Sequence, residues 1–384
     1  MGSKSSKNAK IWLSSPHMGG TEMKYIKEAF NTNWIAPLGK NVDEFENTLK
    51  EELGGKKEVV ALSSGTAALH LSLIMANIKD GDEVLCQSFT FSATVNPIIY
   101  QRATPIFVDS EEDTWGMSPI HLETAIKDRI AIGKKPKAIM VVHLYGMPIK
   151  IEEISTIAKK YNITLIEDAA AALGATYNGQ KCGTFGDFGV ISFNGNKIIT
   201  TSGGGTLICN NKKEKEKIIF LATQARDNAP HYEHSTIGYN YRLSNILAGI
   251  GRGQMEVLNA HIAKRRDNHS FYQKLFENIN EVDLFKEPNS AHFSNHWLSV
   301  ILIKENSKFN RKMLNEHLAE KNIETRPLWK PMHMQPVFNS YPYYGENVSE
   351  TLFANGLCLP SGSNLLEEDR KTIAEQITQY FKPE

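Results

Sequence analysis

The 384-residue sequence has no apolar run long enough to cross a bilayer. A membrane-spanning helix needs about 20 consecutive apolar residues. The N-terminal segment offers only Ile11, Trp12 and Leu13, too few for the core of a signal peptide. The sequence therefore predicts no membrane partner and no secretion, and a cytoplasmic location is expected. Residues 1–12 are assigned to an N-terminal tail, of which residues 1–9 are either disordered or left over from expression.

Cysteine is scarce, and neither sign of charge dominates. The four cysteines, at positions 86, 182, 209 and 358, form no Cys-x-x-Cys pair. This spacing argues against a zinc site or a disulfide framework and favours reduced thiols in a cytosolic enzyme. Lys plus Arg and Asp plus Glu number 43 each, so net charge gives no electrostatic reason to bind nucleic acid. A local basic pocket for a small anion remains open.

Common nucleotide-binding, hydrolase and metal motifs are also missing. No Walker sequence is present, and the glycines of residues 249–253 sit in a helical pattern without a preceding strand, which is typical of close helix packing. Residues 63–65 do not form a Gly-x-Ser-x-Gly elbow, which disfavours a serine hydrolase. His231 and His234 have no third nearby ligand, so no metal site is predicted.

The sequence does have a repeated alternation of short apolar runs with helical segments such as Asp43–Glu52 and Glu152–Tyr161. Runs that are apolar on both faces are typical of strands covered by helices on each side. The alternation predicts an α/β fold with a mostly parallel central sheet, whose ligands bind at the carboxyl ends of the strands. The predicted strands are Val59–Leu62, Glu83–Gln87, Pro105–Asp109, Ala138–Leu144, Thr164–Glu167 and Gly189–Phe193.

The pattern changes after about residue 256. A basic helix, Ala260–Phe276, leads to a predicted strand, Trp297–Lys304, and to a helix near Asn310–Lys321, followed by the proline-rich segment RPLWKPMHMQP. We therefore predict a large ligand-binding domain at residues 13–255. Residues 256–384 are predicted to form a smaller α+β domain that closes over it.

Lys197 is the only charged residue of segment 188–208, FGVISFNGNKIITTSGGGTLI. An ammonium group among apolar and neutral polar residues is desolvated, which lowers its pKa and makes the amine a better nucleophile. Gly203–Gly205 allow the backbone to run close to a ligand. Taken alone, the segment fits a surface lysine beside a glycine turn equally well.

Asp168 follows Glu167 at the carboxyl end of the predicted strand that contains Leu165 and Ile166, and it precedes a row of alanines. A carboxylate at this edge of the sheet can pair with a pyridinium nitrogen and keep it protonated, as pyridoxal 5'-phosphate (PLP) requires. The competing interpretation of Asp168 is a helix N-cap.

Residues 62–69, LSSGTAAL, predict a strand, a turn and a helix start. Free N–H groups and hydroxyls at such a start suit a phosphate, although Thr66 also fits a plain N-cap. A nucleophilic amine, a pyridinium partner and a phosphate site, each following a strand, together indicate PLP.

Taken together, these residues resemble the sugar aminotransferases of the DegT/DnrJ/EryC1/StrS family, which have the fold-type I PLP architecture. The resemblance runs from about Leu13 to the C-terminus and is closest to enzymes that aminate a UDP-2-acetamido-2,6-dideoxy-4-keto-hexose for bacillosamine-type sugars. The matching motifs are SPHMGG (15–20), NWIAPLG (33–39), SSGTAALH (63–70), SFTFSAT (88–94), IEDAA (166–170), SFNGNKIITTSGGG (192–205), GYNYRLSN (238–245), RPLWKPMH (326–333) and CLPSG (358–362).

The resemblance implies that Lys197 forms a Schiff base with PLP and moves the proton between substrate and cofactor. It implies that Asp168 binds the pyridine nitrogen and that Phe91 stacks on the ring. Without the resemblance, Phe91 reads as a core residue.

The resemblance also implies that Thr66, Ala67 and Ser192 hold the cofactor phosphate. Asn240 and Arg242 would reach that phosphate from the other subunit, in a homodimer with shared active sites. Without the resemblance, Ser192 reads as a strand hydroxyl and the last two as loop-capping groups.

One position departs from the family pattern. Many relatives carry His, Glu or Gln three residues after the aspartate, where this chain has Ala171. A contact that tunes the Schiff base is therefore absent or supplied by water. Lys197 argues against the sugar 3-dehydratases of the family, in which histidine replaces the lysine.

The implied reaction is a ping-pong transamination in which L-glutamate donates the amino group and a nucleotide-linked 4-keto-6-deoxy sugar accepts it. Arg326 and His333 are expected to contact the nucleotide sugar, and each has an equal structural interpretation. Two alternatives remain: an aminotransferase for a dTDP- or GDP-linked keto sugar, and a regulatory protein with the PLP fold but without turnover.

Overall fold

The computed structural model describes residues 9–382. Residues 1–8 of the predicted N-terminal tail lie outside the described residues. The strands in this range are β1 (Glu58–Leu62), β2 (Glu83–Gln87), β3 (Thr104–Val108), β4 (Ala138–Val142), β5 (Thr164–Asp168), β6 (Thr176–Tyr177), β7 (Gln180–Lys181), β8 (Phe188–Ser192), β9 (Gly205–Cys209), β10 (Val282–Leu284), β11 (His292–Phe293), β12 (Ser299–Ile303), β13 (Arg326–Pro327), β14 (Tyr343–Tyr344) and β15 (Gly356–Leu359).

Helices connect most of these strands, and 3-10 turns lie at Leu144–Gly146 and Met332–Met334. The α-helices are α1 (Glu22–Asn31), α2 (Lys40–Glu52), α3 (Gly65–Met75), α4 (Ser92–Tyr100), α5 (Pro119–Ala131), α6 (Ile151–Tyr161), α7 (Lys212–Ala222), α8 (Asn245–Met255), α9 (Leu258–Phe276), α10 (Arg311–Glu320), α11 (Val348–Asn355) and α12 (Glu367–Tyr380).

The central sheet has the strand order β1-β9-β8-β5-β4-β2-β3-β14. β9 is antiparallel to both of its neighbours, β1 and β8, and the strands from β8 to β14 pair in parallel throughout. The predicted α/β fold with a mostly parallel sheet and helices on both faces is confirmed. Each of the six predicted strands is present, with ends within two residues of the prediction.

Burial on both faces of the sheet explains why these strands read as continuous apolar runs. In β2, Val84 and Cys86 belong to the core on one face of the sheet, and Leu85 belongs to the core on the other. Strands sandwiched between helix layers show this pattern because neither face meets water. The buried sheet therefore fixes the carboxyl ends of its strands relative to one another. The loops after β4, β5 and β8 begin at these ends.

A second sheet with the order β10-β12-β15-β13 lies in the C-terminal part and packs against α9, α10 and α12. Ile11, from the predicted tail, forms a bridge to Ile323 and is buried in this second core. In the opposite direction, β14 of the C-terminal part pairs with β3 of the central sheet. An N-terminal segment thus packs in the C-terminal part, and a C-terminal strand joins the central sheet. The predicted domain division at residue 255 stays a prediction.

No helix among residues 9–382 is long and apolar enough to cross a membrane.

Candidate active site

A cavity of about 320 Å³ opens at the carboxyl ends of β5 and β8. The start of α3 and the glycines between β8 and β9 form further parts of its wall. Lys197 and Asp168, predicted as the two reactive groups, both line this cavity. The fold therefore brings together two residues that lie 29 positions apart in the sequence.

Lys197 sits in the short loop that follows β8, and its side chain is half-buried. Its Nζ lies 4.2 Å from the centroid of the Trp297 ring. Burial lowers the pKa of Lys197 to about 8, against the attraction of Asp168, which raises it. A lysine with this pKa holds a substantial fraction of neutral amine near physiological pH, as a nucleophile requires.

Asp168 ends β5 and is buried. Its Oδ2 accepts a hydrogen bond of 2.8 Å from the Thr94 hydroxyl, and its Oδ1 accepts one of 3.1 Å from the Ala170 N–H. Burial raises the pKa of this carboxyl, and the hydrogen bond from Thr94 opposes that rise. A buried carboxylate that is held in place and lies on a cavity wall favours a cationic ligand group beside it.

The N-terminus of α3 faces the cavity through Ser64, Gly65 and Thr66. Ser64 is the N-cap, and its hydroxyl accepts a hydrogen bond of 3.0 Å from the Ala67 N–H. The first intrahelical bond, 3.1 Å long, begins at the Ala68 N–H, so the amides of Gly65 and Thr66 lie in the first turn, where no intrahelical acceptor exists. Their position is compatible with the anion site that the sequence predicts.

Ser192 closes the other side of this anion site. A Cβ placed on Gly65 would lie 3.2 Å from the Ser192 Cβ, so any larger residue here would require the end of β8 to move by a few tenths of an ångström. Thr66 and Ser192 line the cavity, and their contact with a phosphate stays a prediction. Ala67 is not among the lining residues, and its N–H is engaged by Ser64. A contact from Ala67 to a phosphate stays a prediction.

An amine, a buried carboxylate and helix-terminal amides on one cavity match the three polar parts of PLP: its aldehyde, its ring nitrogen and its phosphate. The residues present therefore fit this cofactor.

The profile of the DegT/DnrJ/EryC1/StrS aminotransferase family matches residues 16–378. The chain belongs to this family. It is a PLP-dependent sugar aminotransferase, and the predicted family, enzyme class and cofactor are confirmed.

Similar proteins cover nearly the whole chain. EpsN of Bacillus subtilis (strain 168) is 49% identical over 376 residues, which cover 97% of this chain and 96% of EpsN. The GDP-perosamine synthase of Escherichia coli O157:H7 is 38% identical and covers 95% of this chain and 97% of its own length. The UDP-4-amino-4,6-dideoxy-N-acetyl-beta-L-altrosamine transaminase of Campylobacter jejuni (strain 81-176) is 37% identical, and the match covers 88% of this chain and 89% of the transaminase.

The fold agrees with solved structures of the family. A DegT DnrJ EryC1 StrS aminotransferase from Brucella abortus superposes with a TM-score of 0.87 at 28% identity, over 94% of this chain and 95% of the other.

Aromatic residues form the outer wall of the aminotransferase cavity. Phe91, the N-cap residue of α4, is 57% exposed and lines the cavity, and its stacking on the cofactor ring stays a prediction. Its ring centroid lies 6.1 Å from that of Trp329. Trp297 and Trp329 also line the cavity, and neither is predicted from the sequence as a site residue. Trp329 lies in the RPLWKPMH motif, which points to this segment, whereas Trp297 begins a predicted strand.

Ala171, where many relatives have a polar residue, is buried and lines the cavity. Its carbonyl accepts a hydrogen bond of 2.9 Å from the Asn295 side chain. The methyl group therefore adds apolar surface where the family pattern has a hydrogen-bonding group.

Asn240 and Arg242, predicted to act from a partner subunit, do not line their own chain's cavity. Asn240 is exposed and forms a bridge with Thr223. Arg242 forms an ion pair with Glu46 and donates a hydrogen bond of 2.9 Å to the Ala61 carbonyl. The Arg242 guanidinium is thus held by its own chain. Both assignments stay predictions.

Arg326 lies in a second cavity of about 420 Å³ that shares Asn196, Trp297 and Trp329 with the first. Its side chain is exposed and donates to Glu324 at 2.7 Å. Its position beside the Lys197 cavity is compatible with the predicted substrate contact.

His333 is absent from the linings of both cavities. Its Nδ1 lies 2.7 Å from the Ser88 hydroxyl and its Nε2 lies 3.1 Å from a Glu350 oxygen. Its ring also stacks on Tyr343 at 3.8 Å. These contacts anchor the segment that carries Trp329 to the end of β2, to α11 and to β14. A direct substrate contact by His333 stays a prediction.

Proposed function

We propose that this enzyme transfers the amino group of L-glutamate to C4 of a nucleotide-linked 4-keto-6-deoxy sugar, with Lys197 as the lysine that binds PLP covalently. The observation that carries the proposal is the shared cavity, in which the Lys197 amine and the Asp168 carboxylate face one space beside the helix-terminal amides of α3.

The side chains that line this cavity have different roles in the proposed reaction. Bound PLP supplies an electron sink for the electron pair that is released when a proton leaves the substrate carbon. Asp168, held by Thr94 and Ala170, stabilises positive charge on the ring nitrogen. With its amine free, Lys197 would remove and return the proton at the substrate carbon in both halves of the reaction. Phe91 and Trp329 flank the site and give it apolar walls.

The second cavity supports a nucleotide-sugar acceptor. It continues from the Lys197 cavity through shared residues and contains Arg326, a cation suited to a diphosphate. Trp12 and Trp329 supply aromatic surface for a base or a sugar. We propose that the keto carbon enters beside Lys197 while the diphosphate lies toward Arg326.

A UDP-2-acetamido-2,6-dideoxy-4-keto-hexose is one proposed acceptor, supported by the 37% identity to the altrosamine transaminase. A GDP-linked 4-keto-6-deoxy sugar has equal support, because the chain is 38% identical to a GDP-perosamine synthase. The two acceptors share the 4-keto group and differ in the base and at C2.

A homodimer with shared active sites is part of the proposal. Two exposed apolar groups support it: Trp34 and Ile35, which follow α1, and Tyr232 and Ile237, in the loop before Asn240. A homodimer interface would remove these four side chains from water. A cytoplasmic location is proposed on the four buried cysteines, none of which forms a disulfide.

The deciding experiment follows the two half-reactions separately. Glutamate added to the PLP enzyme should convert the cofactor's absorbance to that of the pyridoxamine form, and the isolated pyridoxamine enzyme should then aminate the acceptor. UDP-, GDP- and dTDP-linked 4-keto-6-deoxy sugars are compared at equal concentration, with the product identified by mass. A cofactor spectrum that glutamate never changes would overturn the proposed donor.

The covalent assignment is tested by Lys197→Ala with Lys57→Ala as its matched control, because Lys57 is a lysine whose ammonium donates to the Gly186 carbonyl outside this cavity. Borohydride should fix PLP onto the wild type and Lys57→Ala, and should fix none onto Lys197→Ala. A reducible linkage that survives in Lys197→Ala would refute the assignment.

A further inference from the structure

Arg265 is a fully buried arginine near the middle of α9, and none of the ion pairs within residues 9–382 involves it. Its guanidinium donates instead to three oxygens: the Trp297 carbonyl at 2.6 Å, the Ser361 carbonyl at 3.2 Å and the Ser14 hydroxyl at 2.9 Å. Burial lowers its pKa to about 9, which leaves it a cation at neutral pH. A buried cation without a carboxylate is costly, so packing alone does not explain this residue.

Two of these partners converge on the residue before the reactive lysine. The Ser14 hydroxyl donates a hydrogen bond of 2.9 Å to the Asn196 carbonyl. The Trp297 indole N–H donates one of 2.7 Å to the same carbonyl. Arg265 therefore holds both donors that fix the peptide between Asn196 and Lys197.

A second backbone carbonyl, that of the residue after Lys197, is held from the same helix. The ring of His261, one turn before Arg265 on α9, lies 3.3 Å from the Ile198 carbonyl through its Nδ1. Burial lowers the pKa of His261 to about 4, so the imidazole is neutral and its N–H can donate to this carbonyl. Residues at this spacing share one helix face, and this face of α9 thus holds the backbone on both sides of Lys197.

Trp297 also touches the lysine directly. Its ring centroid lies 4.2 Å from Nζ, and its carbonyl is the nearest of the three Arg265 partners. A displacement of the Trp297 backbone would therefore change both the Asn196 contact and the surface on which the ammonium rests.

We propose that Arg265 is a positioning residue for Lys197: through Ser14 and Trp297 it fixes the Asn196 carbonyl, and with it the direction of the lysine side chain. Arg265 touches neither the cavity nor the reacting atoms. The inference rests on the proposed role of Lys197, and it adds a device outside the cavity that sets the lysine's geometry.

The test compares Arg265→Met, Arg265→Lys and the matched control Lys264→Met, which removes an exposed cation from the neighbouring position on α9. Three quantities are measured on each PLP enzyme: the pH titration of the visible absorbance, the rate at which apo-protein forms the borohydride-reducible linkage, and the thermal midpoint. Reactions that depend on orientation lose about tenfold or more when the group is misplaced. We expect Arg265→Met to slow linkage formation by that factor and to shift the absorbance titration, while Arg265→Lys recovers part of both.

A purely structural role predicts another pattern, in which Arg265→Met lowers the thermal midpoint but leaves the titration and the linkage rate at the Lys264→Met values. That pattern would overturn the proposal. Should Arg265→Met fail to fold, Ser14→Ala and Trp297→Phe each remove one donor to the Asn196 carbonyl. Both should shift the titration in the same direction, and two unchanged titrations would equally overturn the proposal. Failure of the Lys197 assignment is detected separately, by a linkage that persists in Lys197→Ala.

Discussion

The hydroxyl of Thr94 donates a hydrogen bond of 2.8 Å to Oδ2 of Asp168. Thr94 is itself 2.7 Å from the hydroxyl of Thr90, which lines the same cavity. Because the Thr94 proton goes to the carboxylate, Thr90 donates to Thr94. This chain of two hydroxyls orients Asp168 and opposes the rise in its pKa that burial causes.

Thr94→Val should weaken the retention of PLP. A hydrogen bond to a charged group is worth about 1.5–3 kcal/mol, so the Kd for PLP should rise about 10- to 100-fold. Thr94→Ser, which keeps the hydroxyl, should restore most of the affinity. Thr124→Val serves as the control, because Thr124 lies on the exposed side of α5 and bonds only within its helix. Equal PLP affinity in Thr94→Val and Thr124→Val would contradict the prediction.

The rate at which PLP attaches to the apo-protein should rise with pH through about 8, the pKa to which burial lowers Lys197. The neutral amine is the attacking species, so the rate follows its fraction. An exposed lysine would instead titrate near about 10.4. Stopped-flow absorbance across this range gives the midpoint. A midpoint close to that of a free lysine would mean that the ammonium is not desolvated.

The same shift predicts how the stability of the apo-protein depends on pH. Below about 8, Lys197 is protonated in both the folded and unfolded states, and the cost of burying the charge is fully present. Between about 8 and about 10.4 only the unfolded state binds the proton, so the free energy of unfolding rises with pH. Lys197→Met removes this slope and should stabilise the apo-protein by about 1–2 kcal/mol at pH 7 after allowance for solvent screening. Denaturant unfolding at two pH values measures both effects.

Arg326→Met should raise the KM for the nucleotide sugar about tenfold, because a charge-assisted contact to phosphate is lost. The glutamate half-reaction does not involve a diphosphate, so its rate should be the same in Arg326→Met as in the wild type. Arg102→Met removes an exposed cation whose partner is Asp80, away from both cavities, and is the control. A nucleotide-sugar KM that is the same in both variants would remove Arg326 from the proposed acceptor site.

Ile237→Asp should dissociate the proposed homodimer. Ile237 is 84% exposed on one chain, and a carboxylate buried in an apolar interface is strongly unfavourable. Ile120→Asp is the matched control, since Ile120 is 76% exposed at the start of α5. Sedimentation velocity should give a smaller species for Ile237→Asp alone. Two variants with the same sedimentation coefficient as the wild type would argue against an interface at this loop.

The parts of the fold that were predicted from sequence are those with a local pattern. The parallel strands β2, β4 and β5 are apolar on both faces, and short-range hydrophobic periodicity identifies such strands without any knowledge of their neighbours. β14 was not predicted, because Tyr343–Tyr344 is too short to carry a periodicity and becomes a strand only by pairing with β3.

The chemistry of the site divides in the same way. The sequence by itself determined which residues supply the amine, the carboxylate and the helix-terminal amides, because Lys197, Asp168 and residues 63–66 each lie in a segment whose composition is informative. Only the tertiary structure decided what surrounds them. Thr94 donates to the carboxylate, Trp297 packs against the lysine, and Arg265 binds Ser14 and Trp297, the two residues that donate to the backbone next to the lysine. These contacts join residues up to 251 positions apart, and such pairs leave no trace in local periodicity because only the folded backbone brings them together.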